Sequence, residues 1–159
     1  MRKALIWICI PILAWYISGN WFQFMLIQGE SMVPAYNHMQ VVLLNKFDKT
    51  FQRGDVVAFW SDELCCVLVK RIVAVPGDKA VIQNGTLYIN ECVSEIYSEQ
   101  GIFSYAGILE KPIFLQAGEY LLLGDNIAQS KDSRSSEVGI VNETQFSGKV
   151  VKLQKNKMN

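Results

Sequence analysis

Lys70 lies in the run Val67-Leu68-Val69-Lys70-Arg71-Ile72-Val73, whose β-branched residues predict an extended strand. Strand alternation sets Leu68, Lys70 and Ile72 on one face and Val67, Val69, Arg71 and Val73 on the other. One of two adjacent cations must therefore share a face with aliphatic side chains. A lysine in such surroundings loses hydration, and desolvation lowers its pKa. A neutral amine can then act as a general base near neutral pH, whereas arginine stays protonated. Alternation alone does not choose between Lys70 and Arg71, and Lys70 on the exposed side of an edge strand remains an open alternative.

The matching nucleophile is Ser31, in Gly29-Glu30-Ser31-Met32-Val33-Pro34. Gly29 lets the backbone turn closely and Pro34 restricts the chain beyond, so such a turn can present a hydroxyl together with backbone N–H groups. An ordinary loop serine is the competing reading. A third polar cluster runs from Gly124-Asp125-Asn126 to Ser130-Lys131-Asp132-Ser133-Arg134. There Asp132 can pair with Arg134 or cap local amides, and Ser130 can orient an amine by accepting its hydrogen bond. A polar surface loop has the same composition.

The elements that must position these groups are strands and turns. Val41–Asn45, Val56–Trp60, Cys65–Val75, Ile113–Leu115, Glu119–Leu123 and Lys149–Leu153 read as strands. Pro76-Gly77-Asp78 closes one of them as a turn, and Asn84-Gly85 between Val81-Ile82 and Thr86–Ile89 fits a type I′ hairpin. Ser94–Lys111 is polar with weak periodicity and reads as an excursion from the core. Ahead of all this, Ala4 to Gly29 carries no formal charge and follows Arg2-Lys3. A transmembrane helix needs about 20 apolar residues, so a span over Ala4–Phe24 is expected, with Trp21 and Phe22 at the outer interface. The leading basic pair places the N-terminus in the cytoplasm and everything after Gln28 outside. A cleaved signal peptide fits less well, because Gly19-Asn20-Trp21 is no small-residue cleavage site. A buried helix of a soluble protein is the other alternative.

Composition narrows the function classes. The 159 residues carry 15 basic and 15 acidic side chains, which gives no electrostatic footprint for nucleic acid. Of the four cysteines, Cys9 lies in the expected span and Cys65 and Cys66 are adjacent. Adjacent cysteines pair only with strain, and a bridge from Cys92 to either is left open. With His38 the single histidine and no paired Cys spacing, a structural zinc site is poorly motivated, and the cysteines read as small apolar fillers.

Taken in order, these segments resemble the bacterial type I signal peptidases (leader peptidases), the Ser–Lys peptidases of the inner or cytoplasmic membrane. Gly29–Pro34 is similar to the family's nucleophile box, with Ser31 at the catalytic serine. Arg53-Gly54-Asp55-Val56-Val57-Ala58-Phe59 is similar to its next strand. Val69–Asp78 is similar to the box carrying the general base, here Lys70. Gly124-Asp125-Asn126 and Ser130–Arg134 are similar to its last box, which puts Ser130 on the serine that orients the lysine and Asp132 and Arg134 on the pair supporting the site. The likeness runs from the apolar segment to Gly148-Lys149.

The resemblance implies a mostly β protein, an N-terminal single transmembrane helix followed by a signal-peptidase-like all-β catalytic domain. Residues 1–27 would form the cytoplasmic start and anchor, and residues 28–153 the extracytoplasmic peptidase domain. A variable excursion would lie at 92–112 and a polar tail at 154–159. It implies an endopeptidase that removes signal peptides after Ala-X-Ala-like sites, with no metal or other cofactor. Ser31 would supply both the nucleophile and a backbone oxyanion donor, Lys70 the general base and acid. Leu26, Ile27, Met32 and Leu68 would line shallow pockets for substrate side chains. The implied partners are preprotein signal peptides, membrane lipid and the nearby secretion translocon, with no nucleic acid. This chain departs from the family pattern at Gly29, where many relatives carry a second serine. It departs again at Met39-Gln40 for Gly-Asp, Ala74 for Gly and Ile127-Ala128-Gln129 for Arg-Asp-Asn. Two other classes share parts of the pattern: a catalytically inactive membrane-anchored β interaction module, and a Ser–Lys self-cleaving regulator.

Overall fold

The structure, a computed structural model, describes residues 21–98 and 101–153. Eleven strands stand among them, in chain order β1 (Phe22–Leu26), β2 (Val41–Asn45), β3 (Val56–Ser61), β4 (Cys66–Ala74), β5 (Lys79–Gln83), β6 (Thr86–Ile89), β7 (Cys92–Val93), β8 (Ile113–Phe114), β9 (Glu119–Leu123), β10 (Val141–Asn142) and β11 (Phe146–Val151). A seven-stranded sheet has the order β1-β2-β11-β3-β4-β9-β10, and a four-stranded sheet the order β7-β6-β5-β8. The neighbours pair antiparallel.

The turns follow local chemistry. Asn84 (φ 50°) and Gly85 (φ 74°) both take positive φ, as a type I′ hairpin between β5 and β6 requires. Pro76-Gly77 closes a turn in which the Asp78 N–H donates to the Val75 carbonyl at 3.0 Å, with Gly77 at φ 89°. The last strand starts earlier than Lys149, at Phe146. The cause is Asn142–Gln145, a capping box in which the Asn142 side chain accepts from the Thr144 N–H and Gln145 returns a bond to the Asn142 backbone. That 3₁₀ turn delivers the chain straight into β11.

Three apolar clusters form the core. One joins β4 and β9 to the small sheet through Val73, Ile82, Leu87, Leu121 and Leu123. A second, with Ile27, Met32, Tyr36, Val42, Leu44 and Ala58, lies beneath the turn after β1. A third gathers Val57, Phe59, Ile72, Leu122 and Phe146. The segment expected as an excursion contributes Tyr97, Phe103 and Leu109 to the first cluster, with Leu109 fully buried. It closes that core.

The expected membrane span is corrected. Phe22–Leu26 is not the end of a helix but strand β1, paired with β2 from Phe22↔Asn45 to Leu26↔Val41. Only Gln23 breaks the apolar run Phe22–Ile27, so the sequence shows no alternation that would mark a strand there, and hydropathy carries the expected span into it. Among the described residues, no helix is long and apolar enough to cross a membrane. The single transmembrane helix, the cytoplasmic N-terminus and the single-pass placement in a bacterial inner membrane are therefore withdrawn. Residues 4–20 of that expectation, Cys9 included, and the polar tail at 154–159 lie outside the described residues. Cys65, Cys66 and Cys92 are free and exposed, so none is a core filler.

Candidate active site

The Ser31 turn is built on β1 and held by its own buried neighbours. The Ile27 N–H donates to the Gln40 carbonyl at 2.9 Å and the Met39 N–H to the Ile27 carbonyl at 2.8 Å, extending the β1–β2 ladder. Gly29, at φ 92°, then swings the chain away. The Val33 N–H closes onto the Glu30 carbonyl (3.2 Å) and the Tyr36 N–H onto the Met32 carbonyl (2.8 Å). Met32 and Tyr36 plug into the apolar cluster beneath. Ser31 is left half-buried at the rim, and among the described residues its N–H has no protein acceptor.

Strand β4 brings Lys70 to it. The Lys70 Nζ donates to Ser31 Oγ at 2.7 Å and to the Val69 carbonyl at 3.0 Å. The strand also answers the question that alternation left open: Lys70 is 3% exposed, while Arg71 is only partly buried. Desolvation pushes the Lys70 amine down to about 8, against the pull of the Asp132 and Asp125 carboxylates, which favour the cation. Arg71 turns elsewhere, its Nε and Nη2 donating to the two Asp125 oxygens at 2.7 and 2.6 Å and its Nη1 to the Gly54 carbonyl at 2.7 Å.

The loop after β9 backs both groups. Arg134 Nε donates to Asp132 Oδ1 (2.8 Å) and Nη2 to Asp132 Oδ2 (2.9 Å), with Nη2 also reaching the Ile127 (2.9 Å) and Ser130 (3.2 Å) carbonyls. Asp132 Oδ2 accepts from the Gly124 N–H at 3.0 Å. Gly124 has to be glycine, because a Cβ there would stand 2.1 Å from Ser130 Oγ and 2.6 Å from the Ser31 carbonyl oxygen. Ser130 is packed against Gly124, yet its buried Oγ has no hydrogen-bond partner. It does not hold Lys70 in this arrangement.

A cleft of about 330 Å³ opens over the Ser31–Lys70 pair. The expected lining residues Leu26, Ile27, Met32 and Leu68 all border it, joined by Gln23, Met25 and Val67. Two strand borders flank it. β1 is the outer strand of its sheet, and β4 pairs with β9 only from Arg71 onward, which leaves Cys66–Lys70 unpaired on that side. Gly29 offers no side-chain donor, and its N–H is spent on His38 Nδ1 at 2.9 Å. Exposed His38 thus pins the turn that carries Ser31.

Such a hydroxyl–amine pair can run acyl transfer, and comparison with known proteins names the class. The family model for "Signal peptidase, peptidase S26" matches residues 1–153. The chain belongs to this signal peptidase family. Signal peptidase I of Bacillus licheniformis is 31% identical over 147 residues, 86% of this chain and 78% of that protein. Signal peptidase IB of Staphylococcus aureus strain N315 is 34% identical over 142 residues, 78% of this chain and 73% of that protein. A crystal structure of a signal peptidase I from Enterococcus faecalis V583 superposes with a TM-score of 0.53 at 24% identity, over 64% of this chain and 97% of that one, a likeness of fold. This chain is thereby a signal-peptidase-type serine endopeptidase.

Sequence reasoning about this signal peptidase missed the Arg71–Asp125 pair, and with it Asn126, whose Nδ2 donates to the Glu30 carbonyl at 3.3 Å and whose backbone N–H donates to the Ser31 carbonyl at 3.0 Å. Both partners lay inside the quoted motifs, Arg71 beside Lys70 and Asp125-Asn126 after Gly124. Their opposite charges were the available signal. What a sequence does not carry is the cross-strand placement of Arg71 opposite Leu123, which brings it against the loop that follows β9.

Proposed function

We propose that Ser31 and Lys70 are the catalytic dyad of this signal peptidase, and that it cuts preproteins after Ala-X-Ala-like sites. The observation that carries the reading is the 2.7 Å contact between Lys70 Nζ and Ser31 Oγ at the floor of a cleft. Neutral Lys70 takes the hydroxyl proton as Ser31 Oγ attacks the scissile carbonyl carbon, and the Ser31 N–H stabilises the resulting oxyanion. Lys70 then gives that proton to the departing amine. It next takes a proton from the water that hydrolyses the acyl-enzyme. Asp132 and Arg134 brace the loop behind the dyad. The buried, unpartnered Ser130 hydroxyl is the group that would accept from the amine during the cycle.

An extended substrate adds as a strand to the unpaired borders of β1 and β4, its main chain supplying the affinity. Its alternate side chains enter the shallow space bordered by Leu26, Ile27, Met32 and Leu68, which favours small residues. The test uses a preprotein with one Ala-X-Ala site and maps the products by mass spectrometry, with a chelator present. Cleavage after the second alanine is expected, lost when either alanine becomes tryptophan. Cutting that ignores both replacements would contradict the proposal.

A further inference from the structure

Resting on the dyad reading, we infer that Asn126 is a positioning residue that aims the oxyanion donor by clamping the Glu30–Ser31 peptide plane. In a trans peptide the carbonyl and the N–H point in opposite directions and are locked in one plane. The carbonyl of this plane belongs to Glu30 and its N–H to Ser31. Asn126 Nδ2 donates to the Glu30 oxygen at 3.3 Å, and the Val33 N–H occupies the second lone pair at 3.2 Å. With the carbonyl held from behind, the Ser31 N–H faces the other way, and no protein acceptor among the described residues takes it. The Asn126 backbone N–H fixes the next plane by donating to the Ser31 carbonyl at 3.0 Å. One residue therefore grips both peptide units around the nucleophile.

The clamp is anchored in turn. Asp125 is locked to Arg71 by two charge-assisted bonds, and Arg71 follows Lys70 on β4. The strand that carries the base thus sets the position of the residue that aims the donor. A hydrogen bond on a peptide carbonyl also polarises the N–H of the same unit, which strengthens that donor.

The experiment compares Asn126→Asp, Asn126→Ala and Asn126→Gln with the unaltered chain on one preprotein. In parallel it measures inhibition by a peptide aldehyde ending in Ala-X-Ala. Ser31 Oγ adds to the aldehyde carbon, and the former carbonyl oxygen takes the oxyanion position. Asn126→Asp keeps the shape but replaces the N–H donor with an acceptor, so it guards against a folding artefact in Asn126→Ala. Expected are at least tenfold losses of kcat, read on the alkaline plateau, in Asn126→Asp and Asn126→Ala, with KM unchanged. The alkaline rise of activity stays in place in Asn126→Ala and moves to higher pH in Asn126→Asp, whose added carboxylate favours the Lys70 cation. Aldehyde affinity should fall by the same factor as kcat/KM, with partial recovery in Asn126→Gln. Unchanged kcat, or a kcat loss with full aldehyde affinity, overturns the inference while the dyad stands. If the unaltered chain neither cuts nor binds the aldehyde, the dyad reading itself fails and the inference falls with it.

Discussion

Burial and charge act on Lys70 in opposite directions, and burial wins: the amine is pushed down to about 8 although Asp132 and Asp125 favour its cation. Only the neutral amine can accept the Ser31 proton. Below that value kcat/KM should fall about tenfold per pH unit, and above it the rate should level off. A pH–rate profile from 6 to 10 checks this, and a rate that stays flat through 8 would count against Lys70 as the base. Lys70→Arg keeps the charge but not the titration, so it should be as inactive as an alanine. Gly124 makes a second residue-scale prediction. Gly124→Ala forces a methyl against Ser130 Oγ and the Ser31 carbonyl, so stability should drop by about 1–3 kcal/mol and kcat with it. Denaturant melts beside kinetics would detect both losses.

At the scale of elements, the site depends on joints between β4, β9 and the Ser31 turn. The Asp125 side chain is 2% exposed and wholly committed to Arg71. Asp125→Ala strands the guanidinium and should cost about 3–5 kcal/mol in a chemical melt, whereas a surface pair such as Lys79–Glu91 should give less than about 1 kcal/mol. Met39 stands where the family pattern has glycine and adopts φ 61°, a left-handed conformation that disfavours a side chain. Met39→Gly should therefore raise stability by about 0.5–1 kcal/mol, net of the entropy glycine adds to the unfolded chain. The strands themselves were legible, because Val41–Asn45 follows from its valines and leucines, Glu119–Leu123 from a short aromatic and leucine run, and the Asn84-Gly85 hairpin from turn chemistry. The start of β11 was not, since the Asn142–Gln145 capping box has no apolar period to reveal it.

For the whole molecule, two sheets share cores that no single stretch of sequence announces. Tyr97, Phe103 and Leu109 are spaced without strand or helix period, so a polar segment containing them read as an excursion. Burial places them in the wall between the sheets. Leu109→Ala should accordingly cost about 2–5 kcal/mol, where a peripheral loop would lose almost nothing; thermal or denaturant unfolding decides between them. The N-terminal misreading has the mirror cause. The end of the N-terminal run is apolar on both faces and so continues the hydropathy of a span, yet Phe22–Leu26 pairs as the outer strand beside the cleft. Ser31 and Lys70 could be singled out in the sequence by the short motifs around them, since serine and lysine are themselves common residues. Only the fold brings Ser31 and Lys70 together across 39 positions of sequence.

The most direct measurement is cleavage of an Ala-X-Ala preprotein by the full chain, compared with Ser31→Ala and Lys70→Ala proteins shown to be folded. Both substitutions should remove at least about four orders of magnitude of the rate, singly and together alike, because the two side chains act as one unit. Undiminished cleavage by either folded variant would contradict the Ser–Lys assignment.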